Sequence, residues 1–149
     1  MKFEKFLKRC GTHGQIVNRG NGEKWLICDG VGMLVPAGVE NLLGSGEVGE
    51  KTRRIVEALV CADTDDKVEL SAAFIPAAGK PKDIVRIFGD NVLDTEVGIS
   101  NEDFGLLEKS DVNLAEVELE IDDETSVRFL LVLDRDDLLI GFIPSASNK

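Results

Sequence analysis

One histidine, three cysteines and no long apolar run are the clearest shortages of this sequence of 149 residues. Because His13 is the only histidine, histidine-dependent acid–base or triad chemistry would have to run through it. It lies between Thr12 and Gly14, in a stretch that reads as a turn. Cys10, Cys28 and Cys61 cannot all pair within the chain, so this sparse, odd set reads as reduced thiols in a reducing compartment, the cytoplasm. The longest apolar runs, near FLLVL and LLIGFI, fall short of the roughly 20 residues that cross a membrane. The opening MKFEKFLKRCGTH carries basic residues throughout and no unbroken apolar region, so it does not read as a secretory signal.

What is present describes one folded domain over residues 1–149: hydrophobic residues make up 43% and charged residues 30%, with no long polar tract. The net charge of −11 opposes indiscriminate binding to nucleic acid or anionic membrane. That charge is unevenly spread. Residues 1–60 hold 9 Lys and Arg against 7 Asp and Glu, whereas residues 61–149 hold 8 against 21. The N-terminal part can therefore still present a basic face.

Phe3, Phe6, Leu7 and Cys10 recur at helical spacing, with Lys2, Lys5, Lys8 and Arg9 largely elsewhere, which predicts an amphipathic basic helix. QIVNR, EKWLIC and GMLV follow as short strands parted by the turn signals RGNG and CDGVG. AGVENLL reads as a short helix, and EKTRRIVEALVCA as a second basic helix with Ile55, Val56, Leu59 and Val60 inward. KVELSAAFI, DIVRIF and EVGI read as strands. Ser100 with Asp103 three residues on resembles a capping box and predicts an acidic helix over NEDFGLLEKS. In AEVELEI, Ala115, Val117, Leu119 and Ile121 alternate with Glu116, Glu118 and Glu120, and VRFLLVL and LLIGFI complete a hairpin series. The fold class expected is α+β, an antiparallel sheet with two or three helices on one side. Its two ends, about 1–35 and 96–143, share an organisation: a strand (MKF or EVGI), a helix and three strands.

The stretch GSGEVGEKTRR contains a GxGxxG at Gly44, Gly46 and Gly49 and comes close to a phosphate loop. Glu50, however, stands between Gly49 and Lys51, shifting Lys51 and Thr52 in register and placing a carboxylate where phosphate charge would sit. Hairpin-sized turns in the C-terminal third argue against the parallel sheet that such a loop serves. A nucleotide site through Gly44–Thr52 is thus the least favoured function, and the favoured reading is a glycine loop feeding a basic helix. Cys10 and His13 have CxxH spacing, but Cys10 and Cys61 lie on apolar helix faces, so buried structural thiols are preferred to zinc. DTDD, DDE and DRDD lack the glycine and terminal glutamate of a calcium-binding loop and read as polar turns. No metal, cofactor or catalytic residue is expected.

The strongest functional signal is the set Lys5, Lys8, Arg9, Lys51, Arg53 and Arg54, basic residues on two helices of an acidic chain, a pattern suited to phosphate-backbone contact. Paired strand–helix–three-strand units with basic helices resemble the domain plan of DNA sliding clamps. MKFEKFLKRC, VPAGVENLL and the terminal hairpin series are similar to parts of such a domain. The resemblance implies a non-enzymatic processivity or scaffold protein, with Lys5, Lys8 and Arg9 on a helix facing DNA and a homo-oligomer needed to close a ring. The alternative is an acidic protein–protein interaction or assembly module that binds a protein partner, no nucleic acid and no membrane.

Overall fold

The computed structural model describes residues 1–19, 22–36, 49–75, 85–90 and 95–145. The helix expected at AGVENLL, and Gly44 and Gly46 of the glycine stretch, lie outside the described residues. Elements in chain order are α1 (Phe3–Cys10), β1 (Gln15–Asn18), β2 (Lys24–Cys28), β3 (Val31–Leu34), α2 (Glu50–Val60), β4 (Lys67–Ile75), β5 (Val85–Asp90), β6 (Thr95–Ser100), α3 (Asn101–Phe104), β7 (Leu114–Glu120), β8 (Ser126–Leu133) and β9 (Leu139–Pro144). The strands form one nine-stranded sheet in the order β1-β2-β3-β9-β8-β7-β4-β5-β6. Every described pairing is antiparallel, giving an α+β fold.

Side-chain alternation sorts the apolar residues onto both faces of this sheet. On β2, Leu26 and Cys28 join a core that holds Phe6 and Cys10 of α1 and Leu106 just beyond α3. Trp25 and Ile27 face the other way, into a core with Val56 and Leu59 of α2. Strand β8 divides likewise: Leu130 and Val132 enter the first core, Phe129, Leu131 and Leu133 the second. Two helices therefore share one face, and α2 covers the opposite one. Covering both faces explains why WLIC and FLLVL are continuous apolar runs and not alternating ones. Each large side chain moved out of water contributes roughly 1.5–3 kcal/mol.

Local chemistry sets the boundaries. Helix α1 ends at Gly11, whose φ of 54° suits glycine and whose amide donates to the Leu7 carbonyl. Lys8 and Arg9 in its last turn complement the helix dipole. Between β2 and β3, Asp29 and Gly30 have φ values of 52° and 82°, the two left-handed residues of a type I′ hairpin turn. The DRDD turn is closed by Asp134, whose Oδ1 accepts from the amides of Asp136 (2.8 Å) and Leu138 (3.0 Å).

Two sequence expectations are corrected. No strand precedes α1: Met1 and Lys2 are irregular and Phe3 already begins the helix, because the Lys2 carbonyl accepts from the Phe6 amide at 3.1 Å, the first bond of the helix. The acidic helix, expected over NEDFGLLEKS, spans only Asn101–Phe104. Ser100 does cap it, its Oγ accepting from the Asp103 amide at 3.1 Å, but Gly105 ends it. The meander β1-β2-β3 after α1 and the meander β7-β8-β9 after α3 meet at β3–β9, through Gly32 opposite Phe142 and Met33 opposite Gly141.

Candidate functional site

Strands β4 and β7 pair only at Lys67–Ala115 and Val68–Leu114. Because β7 starts at Leu114, the rest of β4 has a described pairing partner only on its β5 side. The chain before β7 turns away there, held by Glu108 N–H donating to Asp111 Oδ2 at 2.8 Å and by Val112 N–H donating to the Ser110 carbonyl at 2.9 Å. The sheet is consequently split by a wedge of about 620 Å³. Leu70, Phe88, Phe104, Leu107, Val112 and Leu114 give it an apolar lining. Leu70 is 49% exposed and Val112 74% exposed, leaving Leu138 as the other exposed large hydrophobic among the described residues.

The floor is packed. Phe88 is buried and its ring lies 6.2 Å from that of Phe104, over which the Arg86 guanidinium sits at 5.1 Å. Arg86 also donates from Nε to Asn101 Oδ1 at 3.2 Å. At the rim, Lys2 and Lys109 stand with Glu69 and Glu108. Asp111 is paired with the Met1 ammonium at 2.9 Å, an ion pair with little exposure on either side.

No family model, curated protein or solved structure matches this chain.

The six basic residues singled out from sequence do not form one surface. Lys5, Lys8 and Arg9 lie on α1, and Lys51, Arg53 and Arg54 on α2, which pack on opposite faces of the sheet. Arg9 Nη1 meets Asp103 Oδ1 at 2.6 Å and Arg9 Nε lies 4.0 Å from Glu102 Oε1. Burial works against the charge of Arg9, but the hydrogen bond and charge of Asp103 outweigh it and hold the guanidinium above its ordinary value. Lys5 Nζ donates to the Gly105 carbonyl at 3.2 Å. On α2, Arg53 donates to the Asn18 carbonyl at 3.3 Å and Arg54 lies 3.4 Å from Glu50 on the same helix. Lys8 and Lys51 are exposed.

The other motifs are dispersed. Cys10 and Cys28 are buried together under α1, where burial and a hydrogen bond with Cys28 push the Cys10 thiol up to about 12. Cys61, expected as a buried thiol on an apolar helix face, is instead exposed, because α2 ends at Val60 and Cys61 caps it, and His13 is exposed in the turn after α1. Among the described residues no cluster of His, Cys, Asp or Glu is arranged to hold a metal ion. Glu50 is the first residue of α2, and Gly49 precedes it in an extended conformation. A second, smaller apolar trench of about 380 Å³ runs beneath α2 between Thr52, Ile55, Val127 and Phe142.

Sequence reasoning missed the wedge. Its two visible traces are Leu70, which continues the alternation from Val68, and Val112, a lone apolar residue between Asp111 and Asn113.

Proposed function

We propose that this chain is a non-enzymatic protein-interaction module whose docking site is the wedge between β4 and the segment 105–114. The observation that carries this reading is the pairing of a packed aromatic floor with two exposed apolar side chains, Leu70 and Val112, on the lips of one cleft. Contiguous exposed apolar surface of this kind marks association sites on soluble proteins, and the volume lies within the roughly 300–1,000 Å³ of ordinary binding clefts. A cytoplasmic setting accords with the unlinked thiols, Cys61 being exposed. No described helix is long and apolar enough to cross a membrane. The test is selection from a displayed random-peptide library. Binders that compete with one another and are lost on Val112→Asp support the reading, and a selection that yields none sinks it.

A second reading, the sliding-clamp domain, is favoured by one observation: the two meanders that meet at β3–β9 are each preceded by a helix, and α1 and α3 lie side by side through Arg9–Asp103. Against it, α3 brings Glu102 and Asp103 to the face where DNA would lie. Retention of duplex DNA at low salt, with light scattering for ring assembly, separates the two. A monomer that does not retain DNA removes the clamp.

A further inference from the structure

We infer that the wedge takes an extended peptide segment, apolar at alternate residues and flanked by Lys or Arg, which adds to the open edge of β4 as a further strand. This rests on the interaction-module reading above and names the partner's chemistry.

The backbone supplies the first argument. Glu116 N–H donates to the Asp66 carbonyl at 2.9 Å, so Asp66 turns its polar groups toward β7. Alternation along a strand gives Val68 and Leu70 the same direction. Val68 is opposite Leu114, but Leu70 has no described partner on that side. Its N–H and C=O therefore face the wedge and, among the described residues, pair with no neighbouring strand, an edge of the kind that recruits an extended chain. A helix laid in the same cleft would leave those groups unanswered.

The lining supplies the second. Leu70 is opposite Phe88, so its side chain projects on the same face of the sheet as that buried ring, the face that also carries Phe104 and Leu107. A strand added beside Leu70 directs every second side chain onto this apolar floor and the others to solvent.

Charge chooses the flanks. The rim balances Lys2 and Lys109 against Glu69 and Glu108 and selects neither sign. The surrounding field does select. Residues 61–149, which build almost all of the wedge, carry 21 acidic residues against 8 basic ones, in a chain of net charge −11. An approaching segment with terminal lysines is attracted, and one with terminal glutamates, or a second copy of this chain, is repelled.

The experiment uses the full chain and four labelled peptides: an alternating Val/Thr octamer flanked by lysines, the same octamer flanked by glutamates, a backbone N-methylated lysine-flanked version, and an alanine-rich lysine-flanked helix. Fluorescence anisotropy is read at low and moderate salt, with sedimentation of the protein alone. The expected result is binding of the first peptide, weaker by about tenfold or more for each of the others and for Val112→Asp and Leu70→Asp. Val112 is so exposed that its replacement does not threaten the fold, and tryptophan fluorescence checks both variants. Equal binding of the glutamate-flanked peptide overturns the charge argument, and equal binding of the N-methylated or helical peptide overturns strand addition. A self-associated protein dispersed by Val112→Asp that binds no peptide shows a second copy in the wedge and overturns the proposed occupant. If none of the four binds but library peptides do so through Val112, this inference fails while the interaction module stands. If neither set binds, both fail.

Discussion

Replacing Gly32 by alanine probes the seam that joins the two meanders. Gly32 lies opposite Phe142 across β3–β9, and the aromatic ring covers it. A Cβ built there falls inside the van der Waals envelope of Phe142 Cζ and Cε2 and 2.8 Å from Ile27 Cδ1. Phe142 is 1% exposed, with its ring 5.7 Å from Trp25 and 5.9 Å from Phe129, so it has little room to retreat. Overpacking of this kind costs roughly 1–3 kcal/mol, and the better strand propensity of alanine returns about 0.5–1. Three atoms in close contact put the cost in the upper half of that range, so the net loss expected is about 1–2.5 kcal/mol, a fall in Tm of about 2–10 °C for a domain of this size. The assay is urea unfolding followed through Trp25, the only tryptophan, whose emission also reports a displaced ring. Phe142 borders the trench beneath α2, into which its ring can swing aside. If the contact is the cause, the cost of Gly32→Ala shrinks when Phe142 is first shortened to leucine. An unchanged or raised urea midpoint in Gly32→Ala, or the same cost in both backgrounds, refutes the reasoning.

Burial raises the Glu116 carboxyl above its usual 4.5 despite Arg128 at 3.3 Å, so the fold favours its protonated form. The stability this favours is present below about pH 4.5 and lost as pH rises through the folded value, so Glu116→Gln should gain stability over wild type progressively from pH 4 to 7 in chemical unfolding. Asp137 has the opposite sign: hydrogen bonds from Asn113 and Lys67 lower its carboxyl below 3.8, and Asp137→Asn, which keeps a residue suited to the φ of 61° there, should cost stability at pH 7 and progressively less as pH falls through 3.8. Asp134→Ala, which deletes the acceptor for two turn amides, should lose about 0.5–2 kcal/mol by thermal melt. Asp103→Asn frees Arg9 from its ionic partner, and on the interaction-module reading neither wild type nor this variant is retained on low-salt DNA columns.

Much of the fold was legible because it rests on local pattern. The alternation of Ala115, Val117 and Leu119 with three glutamates marked β7, and CDGVG marked a turn that the structure resolves into Asp29–Gly30. The position of α2 behind the sheet was less so, since helical periodicity shows which face is buried and not against which side of a sheet. The unbroken runs WLIC and FLLVL held that information, as strands covered on both faces. Glu116 read as solvent-facing from its alternation, yet it is 6% exposed, because its surroundings include Arg128 and Asp66 from other parts of the chain. The wedge was illegible for a sharper reason. It depends on where β7 begins relative to β4, a register between segments more than forty residues apart in sequence that no local period encodes.

The same distance effect decides what the basic residues mean. From sequence, Arg9 belongs with Lys5 and Lys8 on a cationic helix, but folding brings Asp103, ninety-four positions away, to its guanidinium. Phosphate binding by α1 would have to compete with a hydrogen-bonded carboxylate whose side chain is only 12% exposed, and it would place the phosphate beside Glu102 as well. An ion pair of that kind, once formed, is costly to break by removing one partner and yields little to a ligand that leaves the other carboxylate unanswered. The α1–α3 pair is thus better suited to holding the helices together than to meeting a polyanion. Asp103→Asn turns this into a discrimination. If α1 is a DNA-facing helix restrained by its neighbour, the variant gains DNA affinity and a salt slope steeper by about one charge. If the pair serves the fold, the variant loses stability and gains no affinity, and the salt slope stays that of the wild type.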